Sequence, residues 1–207
     1  MQESKLLFGT TNNGKLEYMK KQLSGLGIPI IGLHDLDKEI PQIAETGTTL
    51  LENARIKALG YYRIYKIPVF SYDTGLYFDE VPDDCQPGIF VRRVNGKYLS
   101  DDEMIAYYGS LSKEYGGLTA RYKSAVCLVI NEHEIHSYDG DSLTGKEFLI
   151  MEKPHPKKIE GFPIDRLSVQ VHTGCYYYDL EEEESAETAM GYGVVDFFKA
   201  VSKFFKR

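Results

Sequence analysis

From Lys15 to Asp73 the chain places in order a polar turn ending in Lys15, an acidic-glycine turn at Glu45, a helix bearing Asn53 and Lys57, and the carboxylate of Asp73, an order that suggests nucleotide chemistry. Each sits in a segment with its own local logic. Lys5-Leu6-Leu7-Phe8 is a short apolar run, followed by Gly9-Thr10-Thr11-Asn12-Asn13-Gly14-Lys15 and then by Leu16, Met19 and Leu23 at helical spacing. That order predicts a strand, a polar turn and a helix. Hydroxyls, amides and the free N–H groups of a helix start favour an anion there, and Lys15 adds charge. An ordinary N-capped helix fits the same residues. The spacing G-x-x-x-x-G-K-[ST] of a Walker loop is absent.

In Ala44-Glu45-Thr46-Gly47-Thr48-Thr49-Leu50-Leu51-Glu52-Asn53, Thr48 or Thr49 can cap a helix in which Asn53 and Lys57 stand four apart on one face. That face turns either toward a shared ligand or toward solvent. Pro68-Val69-Phe70-Ser71-Tyr72-Asp73-Thr74-Gly75 is an apolar strand running into a carboxylate where the chain leaves the sheet, the place where open α/β folds keep ligands. Asp73 reads as the leading catalytic candidate, with a plain turn aspartate as the alternative.

Further along, periodicity predicts a helix from Asp101 to Tyr115 and strands from Leu118 to Asn131 and from Glu134 to Thr144. It also predicts a hairpin from Val169–Val171 and Cys175–Tyr178, and a final helix carrying Val194, Phe197, Phe198, Val201, Phe204 and Phe205. The 207 residues suffice for one domain with a real core. A net charge of −7 disfavours a nucleic-acid polymer as partner. No apolar run approaches the length that spans a bilayer, and Met1-Gln2-Glu3-Ser4 lacks the features of a secretory leader, so the expected location is the cytoplasm. Cys85, Cys127 and Cys175 form no C-x-x-C pair and are expected to be reduced; His34, His133, His136, His155 and His172 are expected at the surface rather than on a metal. Glu181-Glu182-Glu183-Glu184 reads as an exposed acidic run.

Taken in order, Thr10-Thr11-Asn12-Asn13-Gly14-Lys15, Glu45-Thr46-Gly47, Glu52-Asn53-Ala54 with Lys57-Ala58, Asp73-Thr74-Gly75-Leu76 and Pro87-Gly88-Ile89-Phe90-Val91-Arg92-Arg93 resemble the Ham1 or inosine triphosphate pyrophosphatase family. The likeness is clear from Lys5 to Gly96, thinner to Asp165 and poor beyond. It implies a single bilobed α/β domain over residues 1–207, with an elongated mixed sheet flanked by helices and two lobes around a deep nucleotide cleft. It also implies a homodimer that uses magnesium to hydrolyse nucleoside triphosphates to monophosphate and pyrophosphate, removing inosine or xanthosine nucleotides. Thr10, Asn12 and Lys15 would hold the triphosphate, amid Thr11, Asn13, Gly14, Asn53 and Thr74. Glu45 and Asp73 would hold metal, Asp73 would serve as base, Lys57 would neutralise phosphate charge, Phe162 and Asp165 would meet the base, and Arg93 would lie near the cleft.

Several positions depart from the family pattern. Ala44 and Tyr72 stand where second acids are common, which thins the metal site. Thr188-Ala189-Met190-Gly191 replaces the Ser-His-Arg triplet that reads the purine edge, and Pro163 follows Phe162 in place of a glycine. An altered or relaxed base preference is therefore expected, since stacking tolerates many bases while lost edge contacts remove discrimination. A nucleotide-sensing relative without turnover is the alternative expectation.

Overall fold

The computed structural model describes residues 5–159, 161–180 and 193–201. The acidic run at Glu181–Glu184, the Thr188–Gly191 segment, Phe204 and Phe205 lie outside the described residues.

The chain is a mixed α/β protein whose central sheet has seven strands in the order β2-β1-β3-β6-β8-β9, with β7 also paired to β6. It divides into two compact units, one of Met1–Thr74, Ser124–Leu143 and Gly191–Arg207, the other of Gly75–Lys123 and Thr144–Met190. Strands β3 (Val69–Phe78) and β6 (Leu118–Asn131) run through both.

In the first unit, β1 (Leu6–Phe8) lies parallel to both β2 (Ile30–Gly32) and β3. All three β1 side chains are buried, as a parallel strand covered on both faces requires. Alternation sends Leu6 and Phe8 toward helix α1 (Asn13–Leu23) and helix α4 (Val194–Val201), where they pack with Leu16, Met19, Phe70, Phe198 and Val201. Phe8 stacks on Phe70 with centroids 4.4 Å apart, and Phe198 meets Phe70 edge-on at 5.0 Å. Leu7 faces the other way, joining Val69 and Tyr61 beneath helix α2 (Leu50–Tyr65). Thr49 caps α2 by accepting from the Glu52 N–H at 3.1 Å, completing a capping box with Glu52. Strand β7 (Glu134–Tyr138) stops well short of the expected Thr144, because Asp139-Gly140 turns the chain into a 3-10 segment at Asp141–Leu143.

In the second unit, helix α3 (Asp101–Tyr115) carries a capping box of Ser100 and Glu103 and ends at Gly116 with φ 73°. Its Met104, Ile105 and Tyr108 pack with Leu118, Ala120, Phe148 of β8 (Phe148–Ile150) and Leu167. A tight hairpin of β4 (Arg93–Val94) and β5 (Lys97–Tyr98) turns on Asn95 and Gly96, both at positive φ. Gly75 has a steric reason: a Cβ there would lie 2.7 Å from the Gly88 carbonyl oxygen, where Leu76 and Gly88 exchange two backbone hydrogen bonds of 3.0 Å. The hairpin expected over 169–178 is shortened: β9 (Ser168–Gln170) meets the returning chain at an antiparallel Val169–Tyr176 bridge and through Gln170, whose N–H donates to the Cys175 carbonyl at 2.9 Å, before Tyr177–Asp179 coils into a 3-10 turn.

Candidate active site

Helix α2 presents Asn53, Lys57 and Tyr61 at four-residue intervals along the stripe that packs on the sheet, which excludes the solvent-facing arrangement. Asn53 is 1% exposed, and its Oδ1 accepts from the Gly47 N–H at 2.9 Å. That bond ties the Glu45-Thr46-Gly47 turn to the helix. A Cβ on Gly47 would come within 2.7 Å of the same oxygen, so the turn glycine and the helix asparagine are fitted to one another. Asn53 is thus a residue that places Glu45.

Strand β3 supplies the opposing carboxylate. Val69, Ser71 and Asp73 alternate onto the α2 face, and Asp73 is only 8% exposed. Lys57 Nζ donates to Asp73 Oδ1 at 2.8 Å and lies 3.5 Å from Glu45 Oε1. One ammonium therefore bridges two carboxylates, one from a loop and one from the middle of β3, which runs on to Phe78 instead of leaving the sheet at Asp73 as expected.

The odd-even rule also settles Tyr72. Its ring enters the α1 and α4 core with Phe8 and Phe70, on the face opposite Asp73, and burial pushes its phenol up to about 12. Where a second acid was expected to be missing from the metal site, the side chain at this position does not face that site. Thr74 shares Tyr72's face, with its hydroxyl 3.2 Å from Ser124 Oγ.

The turn after β1 is built by caps. Asn12 Oδ1 accepts from the Lys15 N–H at 3.0 Å, and the Asn12 N–H donates to Thr10 Oγ1 at 3.2 Å. Gly9 passes so close to Ser71 Oγ and Tyr61 that a Cβ would lie 2.6 Å and 2.7 Å from them. Thr10, Thr11, Asn12, Asn13, Gly14 and Lys15 thus surround a helix N-terminus in the same unit as Lys57 and Asp73.

Phe162, Asp165 and Arg93 belong to the second unit. Arg93 is exposed on its hairpin, with its guanidinium 4.7 Å from the Phe90 ring centroid. Pro163 opens a 3-10 turn, Pro163–Arg166, where its fixed φ suits the first position and its missing N–H costs nothing. Asp165 on that turn is partly buried, beside the phenols of Tyr122, Tyr177 and Tyr178, and burial alone pushes its carboxyl up to about 7. The acid is neutral when folded and ionised when unfolded between about pH 4 and 7, so it costs stability increasingly as pH rises through that window. Asp165→Asn is expected to melt several degrees above wild type at about pH 8, by roughly 4 kcal/mol at most, with the gap shrinking toward about pH 4. Thermal melts across pH check this, and a constant gap would contradict it.

His155 differs from the surface expectation. Its side chain is 13% exposed, wedged against Tyr176 and Tyr178, with Nε2 3.2 Å from Asp179 and Nδ1 accepting from the Lys157 N–H at 3.1 Å. Both nitrogens are committed, which makes it a clamp between segments. Cys85 and Cys175 are exposed, Cys127 is buried, and all are free thiols. Among the described residues no helix is long and apolar enough to cross a membrane, and no cluster of three or more His, Cys, Asp or Glu side chains could hold a metal.

An α/β sheet protein with a carboxylate–ammonium–carboxylate centre and a polar helix start in the same unit is the class that these features define. The model of the Ham1 family matches residues 6–188, and the chain belongs to that family. It is 40% identical over 89 residues to a dITP/XTP pyrophosphatase of Aquifex aeolicus, covering 43% of this chain and 41% of that protein. It is 36% identical over 101 residues to one from Oceanobacillus iheyensis, covering 49% of this chain and 50% of the relative. The chain thus spans about half the length of these curated relatives. The structure of a HAM1 protein from Coxiella burnetii superposes with a TM-score of 0.73 at 23% identity, covering 96% of this chain and 98% of the other, a likeness of fold.

Proposed function

We propose that this chain hydrolyses nucleoside triphosphates of the inosine and xanthosine type to the monophosphate and pyrophosphate, with an altered base preference. The observation that carries the reading is the Lys57 ammonium held between Asp73 and Glu45, in a chain of a family whose matched relatives are named dITP/XTP pyrophosphatases. Two carboxylates converging on one cation, with oxygen donors only, suit magnesium, which takes one or two carboxylates and fills the rest of its shell with water and phosphate oxygens. Glu45 and Asp73 would hold it. When bound, the ion supplies charge neutralisation along the phosphates.

Within this reading Thr10, Thr11, Asn12, Asn13, Gly14 and Lys15 bind the outer phosphates at the start of α1, with Asn53 fixing the Glu45 turn; Thr74, expected to touch the phosphates, lies on the other face of β3 against Ser124 and is left out of that role. Asp73 accepts a proton from water as the water oxygen bonds to the α-phosphorus. The bond from that phosphorus to the bridging oxygen breaks, and pyrophosphate leaves with the electron pair. Lys57 turns its charge to the phosphate oxygens. Phe162 stacks on the base, Asp165 meets its edge, and Arg93 lies near the substrate. The chain works as a homodimer in the cytoplasm.

Pyrophosphate release across a panel of dITP, XTP, dGTP, dATP and dCTP, with and without magnesium, tests the proposal. Metal-dependent release of pyrophosphate, highest for six-oxo purines, is expected. Nucleotide binding without release would make the chain a sensor, and orthophosphate as the product would make it a phosphatase; either overturns the reading.

A further inference from the structure

Three segments that carry the charged groups of the first unit meet at Gly9. Its N–H donates to the Phe70 carbonyl at 2.8 Å, and its carbonyl accepts from Ser71 Oγ across a long 3.4 Å contact, so the chain leaving β1 is seated along β3 just before the Thr10–Lys15 turn begins. Ser71 is fully buried and stands on the same face of β3 as Asp73, two residues earlier. Tyr61 closes the third side. It follows Lys57 by one helical turn on α2, is 4% exposed, and is fixed among Leu7, Leu33 and Val69. A Cβ on Gly9 would come within 2.6 Å of Ser71 Oγ and 2.7 Å of the Tyr61 ring, whereas ordinary contact begins at about 3.4 Å. The serine hydroxyl can rotate away; the ring, packed on the sheet, cannot.

Phosphoryl transfer depends on placement, and a reacting atom displaced by about 1 Å can lose about 10²-fold in rate. The spacing between the Thr10–Lys15 turn and the Lys57–Asp73 pair is set where Gly9 rests against Tyr61 and Ser71. We infer that Tyr61 and Ser71 are positioning residues: Tyr61 is a rigid spacer between α2 and the turn, Ser71 seats the turn on β3, and the bare backbone of Gly9 lets one polyphosphate reach Lys15 and Lys57 together. This rests on the reading that the turn and Lys57 bind phosphates. The shape of the ring rather than its hydroxyl does the spacing, so Tyr61→Phe preserves it. A methyl group on Gly9 lifts the turn by most of an ångström and uncouples the two cations.

The test measures binding of inorganic tripolyphosphate to the full chain by calorimetry, with and without Lys57→Met, in wild type, Tyr61→Phe, Gly9→Ala, and Gly9→Ala combined with Tyr61→Leu, which removes ring volume to admit the methyl. Lys57→Met is expected to weaken binding about tenfold in wild type and in Tyr61→Phe, the scale of one charged hydrogen bond. In Gly9→Ala the same change is expected to cost less than about threefold, and in the combined variant the tenfold cost returns. The kcat for dITP, counted per calorimetric binding site, is expected to follow the same order, about 10²-fold lower in Gly9→Ala. A variant that merely folds less well loses binding sites and keeps its coupling to Lys57. Should Gly9→Ala not fold, Tyr61→Leu alone opens a gap beneath the turn and is expected to show the same loss of coupling. An equal cost of Lys57→Met in every background, or no tripolyphosphate binding to wild type, overturns the inference. Coupled binding in a chain that releases no pyrophosphate upholds the spacing and overturns the hydrolysis; pyrophosphate release with no dependence on background does the reverse.

Discussion

Asp73→Asn is expected to lower pyrophosphate release by about 10³-fold or more, the scale of losing a general base together with a metal-holding charge. The substitution is nearly isosteric, and Lys57 can still donate to the amide oxygen across the 2.8 Å contact, so β3 keeps its shape. The charge does not survive. The Lys57 ammonium is left with Glu45 alone, 3.5 Å away and on a more exposed side chain. A loss of about 1–3 kcal/mol in folding stability is expected from that half-broken pair, well below the penalty for a fully buried charge. The two effects separate experimentally: thermal melting reads the ion pair, and single-turnover pyrophosphate release with saturating magnesium reads the chemistry. Release within about tenfold of wild type would remove Asp73 from the base role.

Much of this arrangement is legible in local sequence because the relevant physics is local. Thr49 and Glu52, like Ser100 and Glu103, announce their capping boxes three residues apart, and the i, i+4 spacing of Asn53 and Lys57 puts them on one face before any fold is known. Which way that face turns is a tertiary matter, decided by Leu7, Val69 and Tyr61 packing beneath α2. Tyr72 illustrates the opposite lesson. Adjacent to Asp73 in sequence, it is on the other side of the sheet in space, so comparing neighbouring letters overstated its bearing on the metal site. The strand expected to reach Thr144 stops at Tyr138 because Asp139-Gly140 turns the chain there, and of residues 139–144 only Leu143 is apolar. The environment of Asp165 had no sequence signature: Tyr122 lies more than forty positions upstream, and only the fold brings that phenol to the acid.

Lys57→Met yields the sharpest separation between the roles given to the central cation. In the folded chain the ammonium sits where two carboxylates converge, so it competes for the place that a divalent ion would take. Methionine keeps the length and apolar stem of lysine, and α2 is expected to pack as before. Its removal leaves Glu45 and Asp73 facing each other without compensation, which repels them in water and attracts magnesium. Two opposed changes are expected together. Magnesium alone should raise the melting temperature of Lys57→Met by several degrees while barely moving wild type, because binding to the folded state alone is stabilising. Pyrophosphate release should nonetheless fall by about 10²-fold or more, because no ammonium remains to meet the charge that develops on the phosphates. A variant that gains no magnesium response shows that the carboxylates do not share an ion. A variant that gains the response and keeps full turnover assigns Lys57 to holding the empty site together, with the phosphate charge carried at the start of α1 by Lys15.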